Sequence, residues 1–286
     1  MTLYDSSWKN VELVRSLRPE DFVVQLGGMK ATVTSATIDD GPKRFALVLD
    51  ASRYVPPEEW ALETEMSNTL LHYARPKDLF ALFVVGSEEA TQFISAEEMI
   101  KRVKELATSR VAIGDPRERT YDTLLAAARS LEPPAFGDTV FLFGHPDDFG
   151  SKATSDDLLE LLLRNRTRFL AVSFTNLISE KMPPGWNPNK PVPADRLPRL
   201  IKVNAATGYY FSFHAVEAIH LPGQMESFRD LLREWFTTIV EPYRLKLDSP
   251  VLTGQTKLEI RVPTLEAYGR RVRGPHYPTS IYPCSR

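Results

Sequence analysis

The sequence predicts an α/β protein: a doubly wound, mostly parallel sheet with helices on both faces, and β segments added at the N- and C-terminal ends. Three observations predict it. From Phe45 onward, short apolar runs alternate with amphipathic helical stretches, the pattern of a parallel sheet covered on both sides. The first run, Arg44-Phe-Ala-Leu-Val-Leu49, stops abruptly on Asp50-Ala51-Ser52, a carboxylate and a hydroxyl at the end of a buried strand. Outside this region, on both sides, apolar and polar residues alternate with the period of an exposed sheet.

Taken in order, residues 21–38 read as a β-hairpin. Asp21-Phe-Val-Val-Gln-Leu runs into Gly27-Gly28, and an alternating stretch with Val33 and Ile38 follows; a Gly-Gly pair between two such runs is a strong turn signal. Strands are predicted at 44–49, 79–85, 139–143, 168–174 and 208–213. Pro56-Pro57-Glu58-Glu59 opens the first helix, with proline and acids in its first turn, and Leu62, Met66, Leu70 and Tyr73 then recur at helical spacing. Ser95-x-x-Glu98 is a capping-box signature ahead of Met99, Val103 and Leu106. Tyr121–Leu131 carries a stripe of Leu124, Leu125, Ala128 and Leu131, and Ser155-Asp156-Asp157 precedes the leucine-rich 158–163. A last helix over about 224–240 presents Phe228, Leu231, Leu232, Trp235 and Phe236, and each of these stripes is a core face. After Pro242 the alternation returns at Tyr243–Leu247 and Thr256–Val262, with Thr253-Gly254-Gln255 as the turn. The predicted divisions are 1–42, an N-terminal β-hairpin segment; 43–240, the α/β domain; and 241–286, a C-terminal β segment. Residues 182–198 break the rhythm with six prolines and Trp186, which excludes helix or inner strand. That segment reads as disordered or a surface wrap, or as a partner-contact loop anchored by Trp186.

Composition narrows the classes. The 286 residues suit one large domain with appendages, and 43% apolar with 25% charged residues is ordinary for a globular chain. A formal net charge of −2 gives no overall steering toward nucleic acid or anionic membrane, and Arg270, Arg271 and Arg273 form only a local basic cluster. Cys284 stands alone, so an intrachain disulfide and a cysteine-rich zinc site are excluded. No apolar run approaches the ~20 residues needed to cross a bilayer, and the first residues carry neither a basic region nor an apolar core of a leader peptide. His72, His214, His220 and His276 lack metal-ligand spacing among themselves, and no phosphate-binding glycine motif follows the first strand.

Several of these segments occur in the order seen in von Willebrand factor A-type domains: Leu47-Val-Leu-Asp-Ala-Ser52 followed by a helix, Tyr121-Asp-Thr-Leu-Leu-Ala-Ala-Ala-Arg-Ser-Leu131 after a loop, and Phe141-Leu-Phe-Gly-His-Pro-Asp-Asp-Phe-Gly-Ser151 after a strand. The chain most resembles a bacterial group of proteins related to that domain. Glu20-Asp21-Phe22-Val23, Thr207-Gly208-Tyr209-Tyr210-Phe211 and Tyr243-Arg244-Leu245 match that group's flanking segments. Individually these motifs are weak; their order over most of the chain carries the resemblance.

The resemblance implies a Rossmann-like fold and a metal-ion-dependent adhesion site. In such a site Asp-x-Ser-x-Ser, a threonine on a second loop and an aspartate on a third hold a divalent cation through hard oxygen ligands. Asp50 and Ser52 match; the second serine is Tyr54, whose phenol cannot replace a small hydroxyl. The threonine position falls on Glu118, with Thr120 available if the loop is shifted, and the third-loop aspartate aligns with His145, followed by Asp147 and Asp148. Two readings follow. Either the magnesium site is lost, or it is rebuilt from Asp50, Ser52, Glu118 and His145, with a donor set that shifts preference toward manganese, zinc or iron. The implied function is non-enzymatic protein–protein binding or scaffolding through the sheet's C-terminal edge, lined by Asp50, Ser52, Tyr54, Glu118, His145 and Asp147, with no resident cofactor. The alternative is a metal-dependent enzyme using the rebuilt site; a Ser52–His145–Asp147 triad lacks the G-x-S-x-G setting of a nucleophilic serine. The expected partner is another protein. Proteins of the group are commonly exported, so the chain as written acts in the cytoplasm or its start lies inside a longer gene product.

Overall fold

The computed structural model describes residues 16–51, 55, 57–85, 91–109, 119–144, 148, 150–174, 203, 210–213, 226, 229–230, 232–233, 236, 240–248, 252–263 and 280–281. Among them run β1 (Val23–Leu26), β2 (Met29–Ile38), β3 (Arg44–Leu49), α1 (Pro57–His72), β4 (Leu79–Val84), β5 (Ile94–Ser95), α2 (Ala96–Ser109), α3 (Thr120–Ser130), β6 (Thr139–Gly144), α4 (Ser155–Asn165), β7 (Arg168–Phe174), β8 (Tyr210–Phe213), β9 (Tyr243–Asp248), β10 (Thr256–Arg261) and β11 (Ser280–Ile281). The proline-rich 182–198, Arg270, Arg271, Arg273 and Cys284 lie outside the described residues.

Two sheets form. The larger has six strands in the order β5-β4-β3-β6-β7-β8, parallel throughout except for the short antiparallel β5. The chain builds outward from β3 to β4 and β5 on one side, then returns to add β6, β7 and β8 on the other. That reversal is the doubly wound topology the sequence predicts.

Side chains alternate across this sheet with period two. Phe45, Leu47 and Leu49 of β3 face one layer with Phe80, Leu82, Phe141 and Phe143, covered by Trp60, Met66 and Leu70 of α1 and by Met99 and Val103 of α2. Ala46 and Val48 face the other layer with Val140, Leu142 and Phe169, covered by Leu124, Ala127 and Ala128 of α3 and by Leu158 and Leu162 of α4. The described residues between 224 and 240 are helical, and Leu232, Phe236 and Val240, four residues apart, complete the first layer. Phe236 packs on both Phe45 and Phe80, with ring centroids 5.1 and 6.5 Å away.

The smaller sheet joins the two ends of the chain. Its order is β11-β10-β1-β2-β9, antiparallel throughout, around Phe22, Val24, Leu26, Tyr243, Leu258 and Ile260. The Gly27-Gly28 turn has positive φ at both residues (57° and 83°), the geometry that matches the strands' twist and that glycine adopts without strain. The terminal β segments are therefore one structural unit.

Charged side chains hold the N-terminal ends of the parallel strands, where the two sheets meet. The buried Asp138 accepts from Arg44 Nε at 3.1 Å and from the Ala135 amide at 2.7 Å, and Arg44 also donates to the Leu131 carbonyl. Asp78 receives Arg75 in the same manner, at 3.0 and 2.8 Å, and the Lys43 amide at 3.0 Å. Asp39 pairs with both Arg244 of β9 and the buried Lys43. Burial pushes the Asp39 carboxyl up, but the Gly41 amide, Lys43 and Arg244 outweigh it and hold it below the usual carboxylate range. For Lys43, burial drives the amine below its ordinary value, and Asp39 offsets only part of that.

One local expectation changes. Tyr73, counted on the apolar stripe of the first helix, follows the end of α1 and is 36% exposed. Helix α4 starts at Ser155, and its cap is Thr154: the Thr154 hydroxyl accepts the Asp157 amide while Asp157 accepts the Thr154 amide. The Ser95–Glu98 box forms as predicted.

Candidate functional site at the C-terminal edge of the sheet

In an open doubly wound sheet, ligands bind outside the C-terminal ends of the strands where the winding reverses. Here that point lies between β3 and β6. Asp50 follows β3 directly, and its amide donates to the Phe143 carbonyl at 3.2 Å and to Glu63 Oε2 at 3.1 Å. Asp50 is fully buried. Gly144 closes β6 against it: φ is 154°, and a Cβ added there would lie 2.5 Å from the Asp50 Cβ. The first and third loops thus leave the sheet in direct backbone contact.

Beside Asp50, α1 turns a polar row inward. Glu59 and Glu63, one helical turn apart, are both fully buried, as is Ser67, whose hydroxyl donates to the Glu63 carbonyl at 2.8 Å. Sequence reading took Glu59 as a first-turn acid and passed over Glu63. The available signal was their i, i+4 spacing among Trp60, Leu62 and Met66, which places both carboxyls on the covered side of the helix.

The third loop meets the start of α3. The side chain of Arg119, at the N-cap, makes no capping hydrogen bond, and the leading amides of the helix find acceptors elsewhere. Asp148 of the third loop accepts the amides of Thr120 and Tyr121. Ser151 Oγ accepts the Asp122 amide at 3.0 Å and donates to Asp148 Oδ1 at 2.6 Å. In return, Asp122 Oδ1 accepts the amides of Lys152 and Ala153 at 3.1 and 2.8 Å. Burial pushes the Asp148 carboxyl above its ordinary value despite these donors.

Of the residues singled out from the sequence, Asp50 stands at the switch point, while Ser52, Tyr54, Glu118, His145 and Asp147 lie outside the described residues. Thr120, the alternative second-loop hydroxyl, begins α3 and is buried. Among the described residues, no three carboxylate, imidazole or thiol side chains are grouped so as to hold a metal ion. The described donors therefore do not by themselves fit a resident cation. Asp50 is packed beneath Gly144, and Asp148 faces α3. Among the described residues, no helix is long and apolar enough to cross a membrane.

No protein-family model and no curated protein matches the sequence. Solved structures do. One is a von Willebrand factor type A protein from Catenulispora acidiphila, with 14% identity and a TM-score of 0.47, aligned over 77% of this chain and 46% of that one. Another is proximal thread matrix protein 1 from the mussel byssus, with 13% identity and a TM-score of 0.50, over 75% and 50%. A third is an aerotolerance-related membrane protein from Bacteroides fragilis, with 10% identity and a TM-score of 0.47, over 68% and 98%. The chain spans about half the length of the first two. The likeness is one of fold alone.

Proposed function

We propose that the chain is a protein-binding or scaffolding module that engages its partner through the C-terminal edge of the parallel sheet, without enzymatic activity and without the magnesium ion of an adhesion site. The observation that carries this reading is the state of Asp50 and Asp148, acids of the first and third loops. Asp50 is buried beneath Gly144, and Asp148 accepts donors from α3 and Ser151, so neither carboxylate is presented to a reacting atom. Tyr54, in place of the second hydroxyl of the adhesion motif, adds to the case: aromatic side chains are enriched where interfaces concentrate binding energy.

In this reading Ser52, Tyr54, Glu118, His145 and Asp147 line the contact face, and Asp50 supports it from beneath. Tyr54→Ala and His145→Ala reduce recovery of the bound protein in a pull-down and leave the melting temperature unchanged. Undiminished recovery with both variants contradicts the assignment. Metal analysis of the purified chain separates the reading from a metal-dependent enzyme, which requires a stoichiometric ion.

A further inference from the structure

The contacts between α3 and the third loop run in both directions, and no single one of them is local. Three successive amides at the start of α3, those of Thr120, Tyr121 and Asp122, are satisfied from the third loop by Asp148 and Ser151. Two amides of the third loop, those of Lys152 and Ala153, are satisfied from α3 by Asp122. Ser151 sits between the two halves, accepting from the Asp122 amide and donating to the Asp148 carboxylate with one hydroxyl. Beyond Ala153, the Thr154–Asp157 capping box fixes the far end of the loop to α4. Most of these bonds end on a carboxylate, the charge-assisted kind that is shorter and stronger than a neutral pair. Both carboxylates also lie at a helix N-terminus, where the backbone dipoles favour negative charge.

We propose that Ser151, with Asp122 and Asp148, is the positioning group of the binding edge: it latches the start of α3 and the third loop into one body. In a metal-ion-dependent adhesion site the second and third loops are tied by a shared cation. Here the third loop and α3 are tied by direct side-chain contact. The inference rests on the proposed binding role of the edge, and it assigns the geometry of that edge to three residues that need not touch the partner.

Amide hydrogen exchange on the full chain tests it, with Ser151→Ala, Ser151→Thr and Asp122→Asn compared with the wild type. The latch predicts that Ser151→Ala speeds exchange at Thr120, Tyr121 and Asp122 together with Lys152 and Ala153. The expected factor is on the order of tenfold, that of losing about one hydrogen bond. Amides of β3 and β7 should keep their wild-type rates, and Ser151→Thr, which keeps the hydroxyl, should restore protection on both sides. Asp122→Asn should likewise expose both sides at once. Acceleration confined to the third loop means the two sides are independent and overturns the proposal. So does no change on either side, or a uniform rise that reaches β3 and β7. The measurement needs no partner, so its failure is separate from a failed pull-down.

Discussion

A Cβ on Gly144 would lie 2.5 Å from the Cβ of Asp50, a distance that two such carbons do not sustain. The end of β6 therefore requires glycine because the first carboxylate of the edge is packed directly against it. Gly144→Ala must move β3, β6 or both, and it also places a side chain at a φ of 154°. We expect a loss of at least about 2 kcal/mol, read by denaturant unfolding. Gly28→Ala, with a positive φ but nothing within 4 Å, should cost about 1 kcal/mol. Equal losses at the two sites would mean that crowding against Asp50 contributes nothing.

Phe236, with Leu232 and Val240, seats the last helix on the first core layer. Phe236 is fully buried between Phe45 and Phe80, so Phe236→Ala leaves a cavity over the middle of the sheet. Its cost should be about 3–5 kcal/mol. Leucine at the same position should recover much of it. A loss below about 1 kcal/mol would place this helix off the sheet.

At the opposite end of the strands, Asp138 is buried and held by Arg44 and the Ala135 amide. Asp138→Ala removes the partner of a half-buried guanidinium and uncaps the turn before β6. The expected loss is about 3–5 kcal/mol. Lys101→Ala, which breaks an exposed pair with Glu97, should change stability by about 0.5 kcal/mol or less.

Stability should fall in acid through identifiable groups. The Thr154 hydroxyl and amide hold Asp157 below the ordinary carboxylate range, and those of Ser95 do the same for Glu98. With a lowered pKa in the fold, the unfolded chain binds the proton first. The stabilisation is complete above the ordinary carboxylate value and is lost as pH falls through the lowered one. Asp148 has the opposite sign, because burial raises it: its contribution is full below the ordinary value and declines as pH rises through the raised one. Asp157→Asn should therefore flatten the acid limb of melting temperature against pH, and Asp148→Asn should not. Identical limbs in Asp157→Asn and wild type would remove the capping box from the account.

How much of this was legible in the sequence depended on the range of the signal. Strands such as 44–49 and 168–174 were readable to the residue because each is a short, mainly apolar run between polar or turn-forming stretches. The hairpin was carried by Gly27-Gly28 and the second helix by Ser95–Glu98, all local chemistry. Glu59 and Glu63 were passed over because a helical acid is ordinarily solvated; their spacing among Trp60, Leu62 and Met66 was the one local signal, and the covering of α1 by the sheet decides it. The Asp122–Ser151–Asp148 contacts were invisible for a related reason: the helix and the loop meet only because α3 packs back on β3 and β6. The pairing of the two terminal β segments in one sheet, and the register that joins β1 to β10, came from the fold alone.

The central claim is that the edge is organised by the protein's own contacts rather than by a cation. Titration calorimetry of Mg²⁺, Mn²⁺ and Zn²⁺ into the chelator-treated full chain, with melting curves on the same samples, tests it most directly. The account predicts no saturable heat and the same melting temperature with metal or chelator. A bound ion at a hundred times its Kd would add about 2.7 kcal/mol of stability; a saturable heat with a raised melting temperature, both lost in Asp50→Ala, would contradict the account.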